Sequence, residues 1–209
     1  MSGIIAQNIL DSSGLVKAQA GGGAWNFIKK ITASADSTIS FVDGTSDVDL
    51  STYNEYLFTF KNMHAENLAT TLEFQVSTAT GSSYGVSATS VNWRAYHRED
   101  GANGALQHLY YDKSNSTDTQ PIMSTADGLG IANDESGSGY LCLYGLNSTT
   151  FVKLFTSVTN SYTNDDASNL VFNSGYFNTT SAIDAVQFTM PYQSGTIQTG
   201  DICLYGLST

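Results

Sequence analysis

The stretch VNWRAYHREDGANGALQHLYYD, residues 91–112, gathers most of the side chains in this protein that could do chemistry. Its centre, REDGANG, is rich in turn formers, so the stretch reads as a hairpin. Folded about that tip, His97 is expected beside His108 and Tyr96 beside Leu109, with Trp93 and the Tyr110-Tyr111 pair further from the turn. Two cross-strand imidazoles with Glu99 or Asp100 have the donor types of a metal centre. Histidine pairs in strands are more often plain polar contacts, and no metal is expected. A sugar platform suits this set better: Trp93, Tyr96, Tyr110 and Tyr111 are rings that stack on a glycan, while Arg94 and Asp112 can hydrogen-bond its hydroxyls. An amphipathic strand turns half of these residues toward the core, which limits the platform.

The remaining chemistry is sparse. Cys142 and Cys203 occupy matching places in two copies of one phrase, YLCLYGL and DICLYGL. Without a secretory route they are expected as buried free thiols, although adjacent antiparallel strands could bring them within bridging reach. The acidic stretches NDES (133–136) and NDD (164–166) lack the ligand ladder of a calcium loop and are expected to form turns through their Asx residues. No nucleophile elbow, phosphate-cradling glycine loop or HExxH pair occurs. Three histidines and 13% charged residues leave little material for acid–base catalysis. The expectation is a protein that is not an enzyme and uses no cofactor.

The elements that must position these residues alternate with period two. Phe58 and Phe60 follow Tyr56; Leu72, Phe74 and Val76 form a second such run, and Val91 with Trp93 a third, each with polar residues between. Trp25, Phe27 and Ile31 are expected to share one face. Further runs occur at 140–146, 149–158, 169–177, 185–190 and 201–207, separated by turn formers, and no segment holds a 3.6-residue period. Ten or eleven short strands without helices predict an all-β fold, a single β-sandwich or jelly roll. Within the repeated phrase, Leu141 and Leu143 should face one side while Cys142, Tyr144 and Leu146 face the other. Strands apolar on both faces are expected to be inner strands of the sandwich.

Composition bounds the rest. The 209 residues carry a net charge of −11, and Ser, Thr, Asn and Gln do the work that charge does on ordinary surfaces. The basic residues are scattered apart from Lys29-Lys30, which disfavours direct nucleic-acid binding. No apolar run approaches the length of a membrane span, and the first residues lack the pattern of a secretory signal, so synthesis in the cytoplasm and no membrane insertion are expected. Residues 1–23 are small, polar and rich in glycine. They read as a flexible arm joined through Gly21–Gly23 to a body spanning residues 24–209. Ile4, Ile5, Ile9, Leu10, Leu15 and Val16 are the arm's candidate docking residues.

Phrases distributed over nearly the whole chain resemble virion structural proteins of tailed phages, notably those of marine bacteria. They are MSGIIAQN, GGGAWNFIKKITAS, YNEYLFTFKNMH, LEFQVSTATGSSYG, WRAYH, TSAIDAVQFTM and GDICLYGLS. Such proteins serve as decoration, head-fibre or tail-fibre components. The resemblance implies no catalytic residues. It implies a place on the virion surface after synthesis in the host cytoplasm, with the major capsid protein or other virion proteins as partners. Self-association as a homo-oligomer, a trimer among the options, belongs to the same expectation. The rival expectation is a tail-fibre or receptor-binding protein whose Trp93, Arg94, Tyr96, Tyr110 and Tyr111 engage a host glycan; a carbohydrate-active enzyme domain is a third and weaker one.

Overall fold

The computed structural model describes residues 25–123 and 128–207. The arm residues Ile4, Ile5, Ile9, Leu10, Leu15 and Val16 lie outside the described residues. In chain order the strands are β1 (Trp25–Asp36), β2 (Thr38–Val42), β3 (Glu55–Ala65), β4 (Leu72–Ser77), β5 (Ala88–Arg98) and β6 (Gly104–His108). They continue with β7 (Gln120–Met123), β8 (Gly137–Tyr144), β9 (Lys153–Thr163), β10 (Ala167–Phe177), β11 (Ala185–Thr189) and β12 (Ile197–Leu207). One 3₁₀ turn, Tyr192–Ser194, precedes β12.

Two antiparallel sheets pack face to face. The large sheet runs β1-β12-β3-β8-β9-β10-β5-β6 and the small one β2-β11-β4-β7. Set aside the hairpins β5–β6 and β9–β10, and the remaining eight strands lie in the order first-eighth-third-sixth over second-seventh-fourth-fifth. That is the jelly-roll winding. Both extra hairpins add to the same edge, beyond β8, so the large sheet is twice as wide as the small one that covers it.

The core forms where the two sheets overlap. Phe41, Phe58 and Phe188 meet edge to face with centroids 5.2–6.2 Å apart, Phe74 lies tilted against Phe188 at 6.4 Å, and Phe155 and Phe177 continue the cluster edge-on to Phe74. Such pairs add to the apolar burial that drives collapse. The twin phrase finds its cause here. β12 and β8 are the two neighbours of β3, and Leu204 and Leu141 stand opposite the same residue, Phe58. Both phrases are therefore inner strands that serve one environment from either side, staggered by two residues. Cys142 is buried and Cys203 half-buried, both as free thiols, because β3 separates them.

Gly145 and Gly206 do different work. The chain leaves β8 at Gly145 with φ +65, and Leu146 turns back into the core instead of facing outward with Tyr144. Gly206 stays in its strand because the Tyr53 ring sits where a Cβ would be, 2.1 Å from its Cδ2.

Toward the β5 edge the cover of the small sheet narrows to β7, and the faces invert. On β5, Ser90, Asn92 and Arg94 point inward and are buried, whereas Val91 and Trp93, expected to face the core, point outward and are 47% and 38% exposed. On β10, Asn169, Val171 and Asn173 point inward while Leu170, Phe172 and Tyr176 point outward. Around Asn92, Thr159 and Asn173 the inner face meets backbone carbonyls. β7 lies across it, and Asn92 Nδ2, Asn173 Nδ2 and Thr159 Oγ1 donate to the carbonyls of Pro121 and Ile122. Those acceptors require donors, so the strand faces that meet them carry Asn and Thr.

A second correction concerns β1. A bulge between Phe27 and Lys29 shifts its register, so Trp25 and Phe27 lie exposed on the outer face while Ile28, Ile31 and Ala33 pack toward the core.

Candidate functional site: the β5–β6 cleft

β5 and β6 form a hairpin closed by the bond from Arg98 N to Asn103 O, with Gly101 at φ +71 in the loop. Its register sets His97 opposite Gly104 and Trp93 opposite His108. The two histidines, expected side by side, are therefore four positions apart along the strands. The shorter loop accounts for the difference. Among the described residues no group of three or more His, Cys, Asp or Glu side chains is arranged to hold a metal ion.

After His108 the chain turns sharply. Leu109 N donates to Asn92 O, Tyr110 and Tyr111 form the bend, and Asp112 returns to β5. The Asp112 carboxylate accepts from the backbone of Asn92 at 2.7 Å and contacts His108 Nε2 at 2.6 Å, fixing the bend to both strands. Ser90 and Lys113 exchange further bonds. Tyr110 is thereby held 97% exposed, its ring edge-on to His108 at 5.9 Å.

The bend and the inner side of the hairpin enclose a cleft of about 740 Å³ lined by Arg94, Gln107, His108, Leu109, Tyr110 and Tyr111. Arg94 is buried at its wall. Its Nε donates to Gln107 Oε1 at 3.2 Å, and its guanidinium lies over the Tyr96 ring at 4.3 Å, which leaves it oriented before any ligand arrives. Two phenols, an imidazole, an amide and a guanidinium on one concave wall suit a polyhydroxylated ligand, with rings for its apolar faces and fixed polar groups for its hydroxyls.

Of the expected glycan residues, the fold brings Arg94, Tyr110 and Tyr111 together and keeps Tyr96 beside them under the guanidinium. Trp93 is excluded, because odd and even positions of β5 face opposite sides. It lies on the outer face, stacked on Phe172 with 4.2 Å between centroids and 7° between planes. Gln107 and Leu109 were not singled out in the sequence. Gln107 is recognisable only when the register that sets it opposite Arg94 is known.

The acidic stretches serve turns. The Glu135 carboxylate folds back to accept from Ala132 N at 2.6 Å, and Asp166 N donates to Thr163 O. At the hairpin tip, Tyr162 donates to Asp166 and Glu99, and the Asp166 carboxylate, with loss of hydration, pushes the phenol up to about 12. Against family models, curated proteins and solved structures, the chain finds no match.

Proposed function

We propose that this chain is a structural protein of the tailed-phage virion, a capsid surface decoration or fibre component docked through residues 1–23 onto the major capsid protein or another virion protein. The observation that carries this reading is where the phage-like phrases fall. FKNMH lies on β3, LEFQVS on β4, AVQFT on β11 and DICLYGL on β12, framework strands of the jelly roll, whereas WRAYH lies on β5 of an added hairpin and MSGIIAQN outside the described residues. Phrases that build the framework transmit a fold, and most of the phrases do so. Neutral polar residues over this framework suit a protein displayed in many neighbouring copies, where weak contacts multiply. No catalytic step belongs to this reading.

Immunogold labelling of purified virions with an antibody against the body tests it. Label over the whole head supports decoration of the capsid, and deletion of residues 2–23 then releases the folded body from particles. Absence of label from intact particles sinks the reading.

A second reading rests on the cleft: a tail-fibre or receptor-binding protein that recognises a host surface glycan through Arg94, Tyr110 and Tyr111. Label confined to the tail favours it. Glycan-array binding lost in Tyr110→Ala, with the fold retained, is its expected result.

A further inference from the structure

We propose that the outer face of β8, β9, β10, β5 and β6 is the contact surface for a second copy of this chain, packed sheet against sheet. An antiparallel sheet with one face on the core ordinarily turns polar residues to water on the other. This face interleaves its Ser, Thr and Asn with large apolar side chains. Val91, Trp93, Leu106, Tyr140, Leu154 and Tyr176 all stand exposed on it, with Leu154 at 53% and Leu106 at 72%. The strand register sets them in rows: Tyr140, Val158, Phe172 and Trp93 lie side by side across four strands, the row of Cys142, Thr156, Ser174 and Val91 follows, and Leu154 sits between Tyr144 and Tyr176 in the row beyond it.

Charge identifies the occupant. The chain carries 19 acidic residues and a net charge of −11, so two copies repel over most approaches. None of the residues that these five strands direct outward is Asp, Glu, Lys or Arg. Charge returns only at the border, with Glu55 opposite Tyr144, Asp112 against His108, and Glu99 and Asp166 at the hairpin tip. An uncharged apolar centre with a polar rim is the anatomy of a protein contact. For a partner bearing the same acidic charge, this is the one broad approach on the large sheet without repulsion at its centre.

Size agrees. Five strands about 4.8 Å apart and roughly 15–35 Å long present a face of about 700 Å². A standard interface buries ~800 Å² per partner, so the face is of the size such a contact needs. Because the same patch serves both copies, the contact is isologous and closes as a two-fold dimer. The two sheets then lie about 10 Å apart, as stacked sheets do. The buried polar inner face of β5 and β10 fits this arrangement, since these strands would draw their apolar burial from the partner. The inference does not rest on where in a particle the protein sits.

Sedimentation velocity of the full chain at about 50 µM, a concentration that fills a standard-size interface of ordinary affinity, tests it. The wild type is expected as a dimer. Val91→Lys and Leu154→Lys change residues that already face water in the monomer, so circular dichroism should be unaltered. Each is expected to weaken the dimer by about 100-fold or more, because a lysine would be buried unpaired. Phe27→Lys, on the same sheet face but at the far edge on β1, is expected to leave it intact. A monomeric wild type, a three-fold assembly, or a dimer that survives both lysine variants overturns the proposal; a wild-type monomer also means that a segment of the same chain or a non-protein ligand covers the face.

Discussion

Asn92 and Asn173 stand opposite one another on β5 and β10 and send their side-chain amides to one acceptor, the carbonyl of Pro121, at 3.3 and 2.7 Å. Proline brings no N–H of its own to the sheet, yet its carbonyl, with that of Ile122, ties the small sheet to the inserted hairpins. Shared acceptance makes the two amides partly redundant. Asn92→Ala or Asn173→Ala alone should cost about 1–2 kcal/mol, since the other amide remains. The double variant should lose roughly 1 kcal/mol more than the sum, because the buried carbonyl is then left without either donor. A double-mutant cycle by urea denaturation checks this, and simple additivity would contradict the shared acceptor.

Lys153 is fully buried, and no carboxylate among the described residues forms an ion pair with it. Its ammonium donates to the carbonyls of Ser148 at 2.6 Å, Phe151 at 3.1 Å and Thr179 at 3.4 Å, binding the loop after β8 to the one after β10. Burial holds its pKa below the ordinary lysine value. Lys153→Met keeps the stem and removes the donor, and a loss of about 2–3 kcal/mol is expected. Hydrogen exchange should quicken first in residues 145–152. Unchanged exchange there would show that the loop does not depend on the lysine.

Gly206→Ala places a methyl group against the Tyr53 ring, which itself packs edge-on to Tyr56 at 5.9 Å. The ring must leave its place, at a cost of about 1–3 kcal/mol. Tyr53→Ala should relieve that clash, so the two changes together destabilise less than their sum. Gly145→Ala meets only the Ser148 Cβ, at an ordinary contact distance of 3.8 Å, but at a positive φ; it should cost about 1 kcal/mol, with no rescue by Tyr53→Ala. Thermal melts of the wild type and these five variants separate steric from conformational causes.

Asp201 accepts from Thr32 Oγ1 at 2.6 Å and Lys30 Nζ at 3.1 Å, and these bonds hold its pKa below the usual carboxylate value. A carboxylate with a depressed folded-state pKa stabilises the fold above the unfolded value, about 3.9 for Asp. That contribution fades as pH falls through the folded-state pKa. Asp201→Asn should therefore melt below the wild type at pH 7, and the two curves should converge once pH has fallen below the folded-state pKa. Curves that remain parallel at low pH would assign the difference to packing and not to charge.

Alternation carried much of the fold. The strands that bury Phe58, Phe74 and Phe188 are legible because water on one side and core on the other enforce period two. β7 is not legible, since Gln120–Met123 is short and contains a proline; it pairs through β4 on one side and side-chain amides on the other. β5 shows the limit of the rule. Its alternation is correct in period and reversed in sense, because a sequence reports which residues alternate and only the sheet width decides which set meets a neighbour. The candidate cleft was legible by composition but not by grouping. Arg94, Tyr110 and Tyr111 meet, whereas Trp93 is one residue away in sequence and on the other side of the sheet. The four-position shift in the hairpin, set by the bond between Arg98 and Asn103, dissolved the expected histidine pair.

The place of β12 between β1 and β3 has a kinetic consequence. Strands one and three are synthesised long before the strand that separates them, so during translation the large sheet contains a gap flanked by two unsatisfied edges. Those edges accept any strand of suitable pattern, and β8, with nearly the same phrase as β12, is already made. Closure thus depends on the late arrival of the correct copy, and a chain released into a crowd of identical chains can receive that strand from a neighbour. The duplicated phrase that stabilises both sides of Phe58 is also the sequence through which two nascent molecules could exchange a strand.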